Sequence, residues 1–252
     1  MTRHCDLIIR DATIFDGTGA PRQQGDMAVT ADRIAGVGDL GAWSAPREIV
    51  ATGKALAPGF IDAHTHDDRA LLCGPDCMRC KMPQGVTTVV VGNCGISLSP
   101  TRMAARPMPP LDLLGDESWW VFDSFAEYAG RLQREPPPVN AVALIGHMSL
   151  RIGAMAGDVH RPATDKEAAR MRARLAQSLA EGASGFSTGL YYPPNASAPT
   201  DEVIAVAEAL RGAGGIYVTH MRDEGDRVLD SIRESLQIGR AADVPIVISH
   251  HK

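Results

Sequence analysis

From residue 56 onward the chain alternates short apolar runs with helical stretches, the pattern of βα units around a parallel sheet, which leaves few architectures open. Six runs read as strands: 59–64, 87–92, 139–146, 185–189, 215–220 and 244–250. Between the later ones, Thr164-Asp165-Lys166-Glu167 has capping-box spacing ahead of a helix over 168–180, and Gly182 closes that helix. Met171, Leu175 and Leu179 fall at helical spacing and are expected in its core-facing stripe. Residues 101–138 form a longer excursion, with prolines at 107–110 and 136–138 around a helix expected to contain Trp119, Trp120 and Phe125.

The first 55 residues have a different texture. Strand-like runs at 6–14, 26–30, 33–37 and 48–51 are separated by turn chemistry such as Asp16-Gly17-Thr18-Gly19, with no helical pattern between them. They are expected to form a small β-sandwich-type unit over 1–55, ahead of a catalytic domain over 56–252. A (β/α)8 barrel occupies about 250 residues, whereas roughly 197 remain here with six strands, so the second unit reads as a partial TIM barrel ending after its sixth strand.

Composition narrows the function. With 25 basic against 30 acidic residues and a net charge of -5, the chain shows no electrostatic footprint for nucleic acid or an anionic membrane. No run approaches the roughly 18 apolar residues of a membrane span, and the N-terminus lacks a signal peptide, so a cytoplasmic location is expected. Five cysteines in such a chain read as reduced thiols or metal ligands rather than a disulfide framework.

The strand ends carry the chemistry. The first run ends in His64-Thr65-His66-Asp67-Asp68, and alternation along a strand turns His64 and His66 to one side, where both imidazoles reach one metal ion. The second run ends in Asn93-Cys94, the third in His147, the fourth in Ser187-Thr188-Gly189-Leu190-Tyr191-Tyr192, the fifth in His220-Met221-Arg222-Asp223-Glu224 and the sixth in His250-His251-Lys252. Polar residues repeated at the C-terminal ends of parallel strands are the register of a barrel active site.

The segments 58–68, 84–95, 219–224 and 249–252, with 185–194, together resemble the D-aminoacylases, the N-acyl-D-amino-acid deacylases of the amidohydrolase superfamily. The Pro-Gly-Phe-Ile-Asp-x-His-x-His part marks the superfamily, and Asn93-Cys94-Gly95 is the more specific element. The resemblance implies a tight zinc site at Cys94, His220 and His250, with His64 and His66 contributing to a second, weaker position. It implies zinc-dependent hydrolysis of a small N-acyl-D-amino acid to a carboxylate and a free D-amino acid. It also implies that Lys252, Tyr192 and Arg222 meet the substrate carboxylate, with Lys252 foremost.

The general base of that family is an aspartate on an eighth strand, and no residue of this chain takes its place; Asp62, Asp67 and Asp68 do not match by motif. Little or no deacylase activity is therefore expected of the 252 residues alone. Two other readings stand beside the first. A cyclic-amide hydrolase of the dihydroorotase or hydantoinase type shares His-x-His, but usually bridges two metals through a strand-four lysine, and residues 185–190 hold none. The other is a catalytically inactive remnant that at most binds metal. Cys73, Cys77 and Cys80 lack a fourth ligand and are read as drift on a helix after the first strand, Cys5 as a free thiol, His147 as a pocket or hydrogen-bonded strand-end residue, His160 as surface and His251 as facing away from His250.

Overall fold

The computed structural model describes residues 3–155 and 157–251. The chain divides into two compact units, Met1–Gly59 and Phe60–Lys252.

In the first unit, β1 (Leu7–Ile14), β2 (Gln23–Thr30), β3 (Arg33–Gly38) and β4 (Arg47–Val50) form a sheet in the order β3-β2-β1-β4, and β5 (Ala55–Leu56) also pairs with β1. The β1–β2 and β2–β3 pairings are antiparallel, as expected of hairpins, whereas β4 and β5 run parallel to β1. The turn after β1 is held as its sequence suggests: Asp16 Oδ1 accepts the amide and the hydroxyl of Thr18 at 2.9 and 2.8 Å, with Gly17 and Gly19 at positive φ. A two-stranded ribbon, Arg3–His4 against Trp43–Ser44, makes a second small sheet, and Trp43 packs on a core of Cys5, Ile8, Ala28 and Leu40. Arg10 ties three strands by pairing with Asp26 on β2 and Glu48 on β4, each at 2.9 Å.

The second unit is built on six parallel strands, β6 (Phe60–Asp62), β7 (Val86–Val91), β8 (Asn140–Gly146), β9 (Gly185–Gly189), β10 (Ile216–His220) and β11 (Ile246–Ile248), which neighbour one another in chain order. The register is staggered. β8 pairs with β7 through Asn140–Ala143 and with β9 through the following residues 144–146, so successive strands are sheared along the wall as barrel closure requires. The six strands thus form a staggered parallel wall of the TIM-barrel kind. All six expected strands are present, and those carrying Asp62 and Ile248 stop two residues before the histidines at 64 and 250.

Helices α1 (Phe125–Arg134), α2 (His147–Ala154), α3 (Asp165–Ala180), α4 (Thr200–Ala207) and α5 (Val228–Ala242) lie between the strands. The capping box of α3 forms as read: Thr164 accepts the Glu167 amide and the Glu167 carboxylate accepts the Thr164 amide. Met171 and Leu175 are fully buried and Leu179 packs at the edge of the same core, which also holds Ile145, Phe186 and Tyr217. No helix is long and apolar enough to cross a membrane among the described residues.

Two expected helices differ. Between β6 and β7 the chain makes three 3-10 turns instead of a helix, because Pro75 and Pro83 each open a short turn and Gly74 and Gly85 interrupt it at positive φ. Cys73, Cys77 and Cys80 are exposed free thiols on and around those turns. Trp119 closes a 3-10 turn capped by Asp116, and the fully buried Trp120 precedes a short strand; the helix starts only at Phe125, where Ser124 accepts the Glu127 amide.

Candidate metal centre

Each donor sits where a strand hands over to a loop, and the loops after β6, β7 and β11 are each fastened to another strand. Past the end of β6, the Thr65 amide and hydroxyl both donate to the Val90 carbonyl, at 3.1 and 2.9 Å. This keeps the backbone extended far enough for His64 and His66 to share one side, their rings perpendicular with centroids 5.6 Å apart. On β10, His220 is the last strand residue. Past β11, the Ser249 amide donates to the Thr219 carbonyl at 3.0 Å, bringing the His250 ring to 4.2 Å from His220 and 5.4 Å from His64.

Cys94 is positioned by a tight turn after β7. Its own φ is +54°, and Gly92 and Gly95 on either side are also left-handed. The Ser187 hydroxyl accepts the Gly95 amide at 3.0 Å and donates to the Gly92 carbonyl, fastening both ends of the turn to β9. Asn93, wholly buried, donates its side-chain amide to the Val90 carbonyl at 2.9 Å. The turn lies backbone against backbone on its neighbours: a Cβ on Gly92 would strike the Leu144 carbonyl, one on Gly146 the Gly95 carbonyl, and one on Gly189 the Cys94 carbonyl. Glycine is needed at these positions because no side chain fits.

The result is two overlapping sets of donors. His64, His66 and Cys94 bring one ligand atom each within 4.8 Å of one another, and so do Cys94, His220 and His250, with Cys94 in both. The Cys94 Sγ lies 3.3 Å from His64 Nε2 and 3.7 Å from His220 Nδ1. A tetrahedral zinc ion with its usual bond lengths sets a thiolate sulfur and an imidazole nitrogen about 3.6 Å apart, so the spacing fits. Protonation fits too. Burial, reinforced by His250, holds His64 below its ordinary value, and burial with the neighbouring His64 pushes His66 down to about 4. At neutral pH both rings are uncharged and keep a lone pair for a metal.

The carboxylates in sequence beside His64 and His66 are engaged elsewhere. Lys81 Nζ bridges Asp62 and Asp67, at 2.7 Å to each. Asp68 is fully buried, accepts the Gly92 amide at 3.2 Å and is pushed up to about 7 by that burial.

Among the expected carboxylate contacts, Tyr192 lies beside the donors, its ring centroid 4.8 Å from that of His220. Burial, then the proximity of Cys94 and Glu224, raises its phenol, which stays protonated as a donor. Arg222 is bound in place: its guanidinium pairs with Glu234 at 2.7 Å and donates to the Ala196 and Ala198 carbonyls at 2.9 and 2.8 Å. Lys252 lies outside the described residues. His147 opens α2, fully buried, with Nε2 3.3 Å from Glu202 Oε1, while His160 and His251 are exposed. Sequence reasoning passed over Lys81 and gave no role to Ser187 or Glu224, which it only named at strand ends. Glu224 stands four residues after His220, yet only the fold brings it 2.5 Å from His250 Nδ1.

The model of the Amidohydrolase family matches residues 47–252. The chain is 48% identical over 247 residues to the D-aminoacylase of Alcaligenes xylosoxydans xylosoxydans, an overlap that takes in 98% of this chain and 50% of that protein. It superposes on a D-aminoacylase structure described for its binuclear metal centre with a TM-score of 0.95, at 50% identity over 98% of this chain and 52% of that one. The N-acyl-D-glutamate deacylase of Bordetella bronchiseptica, solved with zinc and a phosphonate inhibitor, gives a TM-score of 0.93 at 41% identity, over 99% of this chain and 52% of that one. The chain spans about half the length of the curated relatives it matches.

Proposed function

The chain belongs to the amidohydrolase family, and we propose that it supplies the metal-holding half of an enzyme that hydrolyses N-acyl-D-amino acids to a carboxylate and a free D-amino acid. The observation that carries this reading is the pair of donor sets sharing Cys94. A thiolate with two imidazoles is a zinc set that leaves a fourth position open, as a catalytic site needs. Cys94, His220 and His250 hold the tighter ion in this reading, and His64 with His66 and the shared thiolate hold a weaker one. Zinc, when bound, supplies Lewis acidity at the amide carbonyl and lowers the pKa of water toward neutrality.

The chain's own residues do the rest of what falls to this half. The Gly92–Gly95 turn fixes the thiolate, and the neutral imidazoles of His64 and His66 accept metal without first losing a proton. Tyr192, a protonated phenol beside His220, donates to the substrate carboxylate, with Lys252 as its charged partner. Arg222 is left out of that contact because Glu234 and two carbonyls take up its guanidinium. Asp62 and Asp67 serve Lys81 rather than a reacting water. The cyclic-amide reading is not favoured, since β9 presents Ser187 and Thr188, both buried, and no lysine.

The test is hydrolysis by the zinc-loaded protein that carries this chain, offered N-acetyl-D- and N-acetyl-L-amino acids in parallel. Release of the D-amino acid alone, lost together with tightly bound zinc in Cys94→Ala, is expected. Equal release from both enantiomers, or full activity in Cys94→Ala, contradicts the proposal.

A further inference from the structure

We infer that Glu224 is a positioning residue for the Cys94, His220 and His250 donor set, fixing which nitrogen of each ring is left to bind metal; the inference rests on the metal-centre reading above. Glu224 Oε1 lies 2.5 Å from Nδ1 of His250 and 3.4 Å from Nε2 of His220, and its side chain is 10% exposed. On His220 the nitrogen that faces the thiolate is the other one, Nδ1, 3.7 Å from Cys94 Sγ. A neutral imidazole carries one ring proton, and an anionic acceptor beside Nε2 draws it there, leaving the Nδ1 lone pair toward Cys94. The same carboxylate at Nδ1 of His250 leaves Nε2 of that ring as its ligand atom. Neither contact has the alignment of a hydrogen bond, so the carboxylate biases both ring protons through its charge, and more strongly at His250, where it lies nearer.

The loop that presents Glu224 is braced without any metal. Arg222 is clamped on Glu234 of α5 and on the carbonyls after β9. The Asp223 amide donates to Ser231 at 2.9 Å, and the Asp223 carboxylate accepts the amides of Gly225 and Arg227 at 2.9 and 3.1 Å. Arg222 and Asp223, which flank a metal ligand in sequence, thus hold the backbone from which Glu224 reaches both histidines. A carboxylate that orients ligating histidines changes metal affinity by about 10–100-fold when removed.

The experiment is competitive zinc and cobalt(II) binding against a chelator by the 252-residue chain, as wild type, Glu224→Ala and Glu224→Gln. It is joined to two-bond nitrogen–proton spectra of the metal-free imidazoles, which report tautomers directly. Glu224→Ala is expected to lower the affinity of the tighter site by about 10–100-fold, to weaken the cobalt–thiolate absorption, and to turn single tautomers at His220 and His250 into mixtures. Glu224→Gln keeps the shape and removes the charge, so it decides if the alanine variant does not fold: a loss near the lower end supports the inference. Wild-type affinity and unchanged tautomers in the folded variants overturn it. A wild-type chain that binds neither metal more tightly than Cys94→Ala does overturns the metal-centre reading, and the inference falls with it.

Discussion

Cys94 depends on residues that do no chemistry. Its left-handed turn is seated on the backbones of β8 and β9, and a Cβ on Gly146 would come within 2.6 Å of the Ile96 amide nitrogen and closer still to the Gly95 carbonyl. Gly146→Ala is therefore expected to cost about 1–3 kcal/mol, the usual penalty of overpacking, and to weaken zinc binding because Gly95 must move. Urea midpoints and zinc affinity measured on the same variant check this; a variant stable and tight in both denies the turn its role. At this scale much of the site was legible. His64, His66, Cys94, His220 and His250 stand out as metal-ligand types at the ends of apolar runs, as His147 also does, and the resemblance to the D-aminoacylases sorts them into two sets. Lys81, Ser187 and Glu224 do not, since their partners stand 14 or more residues away or, for Glu224 and His220, become neighbours only through the loop that Arg222 braces. The partner of Arg222 was hidden for the same reason: Glu234 lies in the second turn of the next helix and is not the adjacent Asp223 or Glu224.

Among the elements, α2 and α4 are joined by a buried cluster. Glu202 on α4 pairs with Arg151 and faces His147, both on α2, and the Ala163 amide donates to its second oxygen at 2.8 Å. Burial opposes ionisation of Glu202, but His147, the Ala163 amide and Arg151 together outweigh it and hold the carboxyl at about 2, against an ordinary 4.5. The folded pKa is depressed, so the stabilisation is fully present above about pH 4.5 and is lost as pH falls toward 2. Denaturant unfolding of wild type across this window should show the loss, and Glu202→Gln should flatten it. At pH 7, Glu202→Ala is expected to cost about 3–5 kcal/mol by stranding the buried guanidinium; an unchanged midpoint contradicts that. Elements with strong local signals were readable, as in α3 with its capping box, and β9 with its bounds. The stretch between β6 and β7 was not, because the helix expected after the first strand is broken up by Pro75, Pro83 and two glycines at positive φ.

At the scale of the molecule, the donors come from β6, β7, β10 and β11 and meet only if the wall of parallel strands forms in chain order. Metal bound to the folded chain but not to the unfolded one must then stabilise it, by about 4 kcal/mol when free zinc exceeds its dissociation constant a thousandfold. Thermal melts with and without zinc are expected to separate for wild type and to coincide for Cys94→Ala. The most direct test of the shared-thiolate centre is the number and affinity of zinc ions bound at neutral pH by wild type, by Cys94→Ala and by the double variant His64→Ala, His66→Ala. The account predicts one tight and one weaker ion for wild type, the tight ion alone for the double histidine variant, and neither for Cys94→Ala. Retention of the tight ion by Cys94→Ala would contradict it.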